Sequence, residues 1–408
     1  MIYDEILQLN QDIKDRLEKL DRRIRKNEVI AGFYEGIEYS ILNDDEYFMT
    51  PPSVVDMDGV IHKVDVEEYN DRRARYLRHV RRSKSAVKEC SRWFDVDYYA
   101  FQGVKDIKRT FTCSNKFCDG CQAAVAQQRY EKFTPVLDTL QKTYDIAHIV
   151  LTVPNCLPRQ LELVVDRMYE CRKYLIRYLS GTKKIRYIDF EKYGFQGGVS
   201  ALEITRNEKD GTYHPHFHCA FVFRKGSGVF GRRKHVNSYS FNNTDKDACR
   251  LFNDFEILLQ KVWRLRFDGV EVNRHTIAAL KEGYDCICER KDNFHEVFKY
   301  ATKGVLKYDK DVSRVLGQYT DFIHLDRTLF KRRLIQSYGI LRGISIPETV
   351  DQSAANDKRY QEIVAHLRTL EDPIEQKEYL ESLLEEKDTG NIKYISRKNV
   401  KAVISDES

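Results

Sequence analysis

Apolar residues recur every three or four positions at the start of the chain. Ile2, Ile6, Leu9, Ile13, Leu17, Leu20 and Ile24 form a narrow stripe in a charged background. That period predicts one helix over 1–30, a docking or coiled-coil candidate too short to assign as a coiled coil. Residues 31–70 read as irregular, with a break at Pro51-Pro52. After 147 the pattern alternates strands with helices. AHIVLTV (147–153) is a β-rich run ended by Pro154, and 158–179 is helical with Leu161, Val164, Val165, Met168, Cys171, Leu175 and Leu179 inward. GVSALEITRN and TYHPHFHCAFVF are two strands around a short polar link. Helices are predicted over 247–266 and from Phe294 through FHEVFKYATKGVLKY. The order predicts an α+β fold: an antiparallel central sheet covered by helices, with an N-terminal helix, a Cys-rich element and a helical C-terminal tail.

Composition changes this picture little. The chain has 408 residues, 42% hydrophobic and 32% charged, with a net charge of only +5, so local patches carry any argument about partners. No apolar run is long enough for a membrane span, and the N-terminus lacks the basic-then-apolar order of a secretion signal. The ten unevenly spaced cysteines suit reduced thiols in a cytoplasm, some of them holding metal. Residues 72–92 are strongly basic, with Arg78, Arg81 and Arg82 as candidate contacts to a DNA backbone or, alternatively, a solvated helix face. Residues 371–388 read as a solvated acidic tail helix.

His214-Pro-His216-Phe-His218 is the most informative stretch. Alternation puts His216 and His218 on one face of a strand and Phe217 on the other. A two-residue turn at Asp210-Gly211 would set His216 opposite Thr205 and His218 opposite Glu203. Glu203, His216 and His218 then share a face, and two imidazoles with one carboxylate leave the open positions of a catalytic metal site. Ordinary core or surface histidines are the alternative. In EVFKYATK, Glu296, Tyr300 and Lys303 lie on one helical face. A lysine near a tyrosine favours the phenolate and can hold a phosphate under attack. Taken alone, the string also describes a surface tyrosine among charges. Cys90, Cys113, Cys118 and Cys121 can close a tetrahedral zinc site or stand as buried thiols. Arg232 and Arg233 sit in a Gly-rich loop and are further candidate DNA contacts.

Together these stretches resemble the rolling-circle replication initiators of small Gram-positive plasmids, in the HUH endonuclease superfamily. HIVLTVPN (148–155), ALEITRNEKDGTYHPHFHCAFV (201–222) and EVFKYATK (296–303) resemble the family's three motifs in order and spacing. Cys113-x4-Cys118-x2-Cys121, with Cys90 upstream, matches a family cysteine element, and RTLFKRRLIQSYGILRG (327–343) resembles its post-catalytic stretch. Asp119 and Lys116 depart from the family's usual Pro and Arg. The resemblance implies a metal-dependent DNA nicking-joining endonuclease. Tyr300 would attack the origin strand, leaving a 5′-phosphotyrosine and a free 3′-OH primer. Lys303 would assist, and Glu296 would activate water for a last hydrolytic cleavage or act as a structural helix partner. It implies Mg2+ or Mn2+ at Glu203, His216 and His218, structural Zn2+ at the cysteines, and single-stranded origin DNA, host helicase and DNA polymerase as partners. There is room for a homodimer and no role for a membrane. The expected segments are 1–87 (N-terminal helix and basic segment), 88–145 (Cys-rich element and helix), 146–345 (nicking-joining domain) and 346–408 (polar helical tail). A conjugative relaxase, a transposase or a non-catalytic zinc-dependent origin binder remain alternatives. No G-x-x-x-x-G-K-[ST] string argues for a helicase engine.

Overall fold

The computed structural model describes residues 2–43, 54–55, 61–62, 66–90, 93–99, 104–110, 112–236, 251–291, 293–298, 312–344 and 395–396. Tyr300, Lys303 and the acidic tail at 371–388 lie outside them. The chain divides into two compact units, Met1–Val125 with Pro347–Ser408, and Ala126–Ile346.

In the first unit, α1 (Ile2–Leu42) packs along α2 (Val66–Glu89). The apolar stripe continues through Ile30, Phe33, Tyr34, Ile37 and Ile41, all buried, so the helix runs past 30 into the stretch read as irregular. Tyr76, Val80 and Val87 are the buried face of α2. Glu38 of α1 holds Arg81 at 2.7 Å and Lys84 at 2.5 Å, and both cations lower its carboxyl. The antiparallel strands β1 (Trp93–Tyr99) and β2 (Val104–Thr110) follow, and Ile395–Ser396 pairs with β1. The unit boundary falls within α3 (Asp119–Gln141).

The second unit is built on five strands: β3 (Tyr144–Thr152), β4 (Phe195–Arg206), β5 (Tyr213–Arg224), β6 (Cys286–Glu289) and β7 (Ile335–Gly339). Their order is β6-β3-β5-β4-β7, every pair antiparallel. Between them lie α4 (Leu161–Leu179), α5 (Asp254–Phe267), α6 (Arg274–Ala279), α7 (His295–Phe298) and α8 (Val312–Leu329). The predicted α+β fold is the observed one. The seven inward residues predicted for α4 are all buried.

The sheet is covered on both faces. On one, Ile146, Val199, Ala201, Ala220, Val222 and Ile335 pack with Phe133 and Leu137 of α3 and Val297 and Phe298 of α7. Opposite, Phe217 meets Trp263 of α5 and Tyr169 of α4, while the buried Arg172 lies over its ring at 4.5 Å. Truncating such an anchor costs about 3–5 kcal/mol, so β5 is held firmly from the side its histidines do not use. The helix predicted from 247 begins instead at Asp254. Asn253 caps it by accepting from Glu256 N at 2.9 Å, and Glu256 reaches back to Asn253 N at 2.8 Å.

Candidate functional site

The hairpin between β4 and β5 sets the geometry. Its register pairs Glu203 with His216, Ala201 with His218 and Thr205 with His214. The connection is therefore longer than a two-residue turn. Asn207 N donates to Thr212 O and Gly211 N to Asn207 O, closing a loop over Glu208–Gly211. Asp210 Oδ1 accepts from Thr212 N at 2.9 Å, and Gly211 takes the positive φ (71°) that an Asp-Gly pair supplies at low cost. The offset from the predicted register is two residues, an even number, so Glu203 stays on the histidine face.

Three donor atoms converge there. Glu203 Oε2 lies 2.8 Å from His218 Nε2 and 3.4 Å from His216 Nε2, and the two Nε2 atoms are 3.1 Å apart. His216 is buried; Glu203 and His218 are half-buried. His216 Nδ1 sits 3.1 Å from the His214 carbonyl, which can only accept, so Nδ1 carries the proton and Nε2 offers its lone pair inward. Two imidazole nitrogens and a carboxylate facing one another this closely form a donor set that a proton or a metal ion can bridge. Ligands about 2.1 Å from an ion stand about 3–3.4 Å apart, which the 3.1 and 3.4 Å separations fit, while the 2.8 Å one is slightly shorter. Without a metal ion, burial works to raise the Glu203 carboxyl, but hydrogen bonds from the protonated rings of His216 and His218 outweigh it and hold the group well below the usual carboxylate range. His214 does not join the donors. It stacks on His216 with centroids 5.1 Å apart, and burial and that neighbour push it down to about 4.

A residue missed in the sequence completes the cluster. His148 of β3, buried, places Nε2 3.2 Å from His218 Nδ1. α7, with Glu296 in it, lies on this same sheet face through Val297 and Phe298.

The first unit holds a second donor cluster. Cys90 follows α2, Cys113 sits in the loop before α3, and Cys118 and Cys121 flank the start of α3. Their sulfurs are 3.8 Å (Cys90–Cys118), 3.7 Å (Cys90–Cys121) and 3.7 Å (Cys113–Cys121) apart. Four thiolates about 2.3 Å from a tetrahedral zinc stand about 3.8 Å from one another, so the fit is close. Asn115 locks the loop: its Oδ1 accepts from Phe117 N and its Nδ2 donates to Tyr34 Oη, both at 2.9 Å. Crowding splits the thiols. Hydrogen bonds with Cys113, Cys118 and Cys121 lower Cys90, while contacts with Cys118 and Cys121 raise Cys113. Only a cation lets all four ionise.

The candidate DNA contacts divide. Arg78 and Arg82 point into solvent from α2, and Arg232 is exposed. Arg81 is tied to Glu38. Arg233 is engaged inward: it meets the fully buried Glu256 at 3.0 and 3.3 Å and donates to Cys288 O at 2.9 Å.

Comparison with known proteins places these sites in a family. Residues 104–380 match the family described as Replication protein, and the chain belongs to it. The resemblance read from the motifs is thereby borne out. Among relatives, a "Protein rep" of a Bacillus species is 28% identical over 201 residues, 48% of this chain and 57% of the relative. A "Protein rep" of Bacillus amyloliquefaciens is 28% identical over 202 residues, 48% of this chain and 52% of the relative. One of Staphylococcus aureus is 24% identical over 153 residues, 37% of this chain and 62% of the relative. The chain thus spans between about half and two thirds of the length of these relatives. No solved structure matches it. No described helix is long and apolar enough to cross a membrane.

Proposed function

We propose that this chain initiates rolling-circle replication of a small plasmid by nicking single-stranded origin DNA, with Tyr300 as nucleophile. One observation carries the reading: Glu203, His216 and His218 converge on the sheet face where α7 packs, and α7 ends two residues before Tyr300. A divalent cation, Mg2+ or Mn2+, held by those three side chains would supply Lewis-acid charge at a phosphate. The chain's own part is a transesterification. The Tyr300 oxygen bonds to phosphorus as the bond to the 3′ oxygen breaks. The phenol gives up a proton and the 3′ oxygen gains one. One phosphodiester replaces another, so no nucleotide is consumed and the 5′ end stays on the protein. Lys303, three residues on in sequence, favours the phenolate. Glu296 accepts a proton from water in a final hydrolytic cleavage. The free 3′-OH primes a host polymerase, with a host helicase opening the duplex.

The four cysteines hold a structural zinc, and Arg78, Arg82 and Arg232 meet phosphates. The compact unit Ala126–Ile346 is the nicking-joining domain. The test is to incubate the full chain and Mn2+ with a supercoiled plasmid carrying its own origin. Nicked circles with protein attached to the 5′ end are expected. DNA that is bound but never cut would contradict the reading.

A further inference from the structure

The two metal-facing histidines differ in how their outer nitrogens are held. His216 Nδ1 donates to the His214 carbonyl at 3.1 Å, a bond within its own strand. His218 has a side chain instead. Its Nδ1 lies 3.2 Å from Nε2 of His148, which comes from the neighbouring strand β3. The two ring planes differ by only 16°, and the centroids, 5.3 Å apart, are farther apart than the facing nitrogens by roughly one ring width. The rings are therefore nearly coplanar and edge to edge, as an in-plane N–H···N bond requires, not one over the other.

We propose that His148 is a positioning residue that fixes the orientation and tautomer of His218 for metal binding. The inference rests on reading Glu203, His216 and His218 as ligands. When His218 Nε2 gives its lone pair to an ion, the ring's proton resides on Nδ1 and needs an acceptor. His148 Nε2 is that acceptor. The lattice of backbone bonds makes the arrangement rigid: Val150 pairs with His218, so His148 sits one diagonal step away on the same face. On its other side the register sets Glu289 of the edge strand β6 across from His148. His148 is 6% exposed, so water is a poor competitor for the bond.

The test measures Mn2+ binding to the full chain without DNA, by calorimetry and by the electron paramagnetic resonance of the bound ion. Variants are His148→Phe, which keeps a ring and removes the bond, His148→Gln, which can still accept, and His216→Ala as the ligand control. His148→Phe should weaken Mn2+ binding about 10- to 100-fold with an unchanged circular dichroism spectrum, and His148→Gln should recover most of that loss. Binding by His148→Phe equal to wild type would overturn the proposal alone. So would His148→Gln no better than His148→Phe. Wild type that binds no Mn2+ would overturn the ligand reading and this proposal with it. A measurement on wild type stands apart from folding of the variants. In Mg2+-loaded protein, a nitrogen–nitrogen coupling across the hydrogen bond should join His218 Nδ1 and His148 Nε2, and its absence would also overturn the proposal.

Discussion

Glu203 lies directly opposite His216 across the β4–β5 hairpin, with its Oε2 3.4 Å from His216 Nε2. The pair is fixed by backbone register and by Phe217 anchoring the other face, so the donors are preorganised before any ion arrives. Removing one donor should abolish cleavage without disturbing the phosphate contacts that supply affinity. In His216→Ala, nicking should fall at least 100-fold while gel-shift affinity for the origin strand changes by less than about threefold. Undiminished nicking in a His216→Ala, His218→Ala double variant would remove the site from the mechanism.

The cysteine cluster predicts a metal that survives purification. Elemental analysis should find about one zinc per chain, lost to a strong chelator together with folding of the first unit. Cys121→Ser should lower both zinc content and Tm. Protein that is zinc-free, folded and cooperative in melting would show four ordinary buried thiols.

Arg232 and Arg233 are neighbours in sequence with opposite expected behaviour. Arg233→Ala leaves the buried Glu256 without its cation and should destabilise by about 2–4 kcal/mol in denaturant unfolding. Arg232→Ala should leave stability within about 0.5 kcal/mol and weaken DNA binding instead. Arg78→Ala with Arg82→Ala should likewise reduce the salt slope of DNA binding by about 2. Equal stability losses at 232 and 233 would contradict the division.

His324 of α8 gives a pH signature. Burial, with Arg327 nearby, holds it at about 4 against an ordinary 6.5. Between those values the unfolded chain takes up a proton that the folded chain refuses. Stability should therefore fall as pH drops from about 6.5 to about 4, and this contribution should level off below. His324→Asn should reduce the slope in that part of the profile, with the similarly depressed His214 supplying a remaining share. An unchanged slope would show that His324 is not the group responsible.

Much of this was legible in the sequence, for identifiable reasons. Alternation fixes side-chain parity, so Glu203, His216 and His218 could be assigned to one face although the exact register could not. The two-residue turn was the wrong choice because Asn207 and Asp210 cap a longer loop, and an error of two residues leaves parity intact. The start of α5 was also readable: Asn253-Asp-Phe-Glu256 is a capping-box string that a purely apolar period overlooked. His148 was not legible as a partner of His218. The two lie 70 residues apart and meet only because β3 pairs with β5. Arg233 read as a free cation because its partner Glu256 lies 23 residues on, in the first turn of a helix whose buried side includes it.

The central claim is that Tyr300 forms the covalent link to DNA. The most direct measurement incubates wild type and Tyr300→Phe with a single-stranded origin oligonucleotide and Mn2+, then resolves protein–DNA adducts on a denaturing gel. Removing one hydroxyl should leave circular dichroism and gel-shift binding unchanged and eliminate the shifted band that wild type gives. A Tyr300→Phe band as strong as wild type would place the nucleophile at another residue, with Tyr308 and Tyr319 next to be tested, and would contradict the mechanism at its centre.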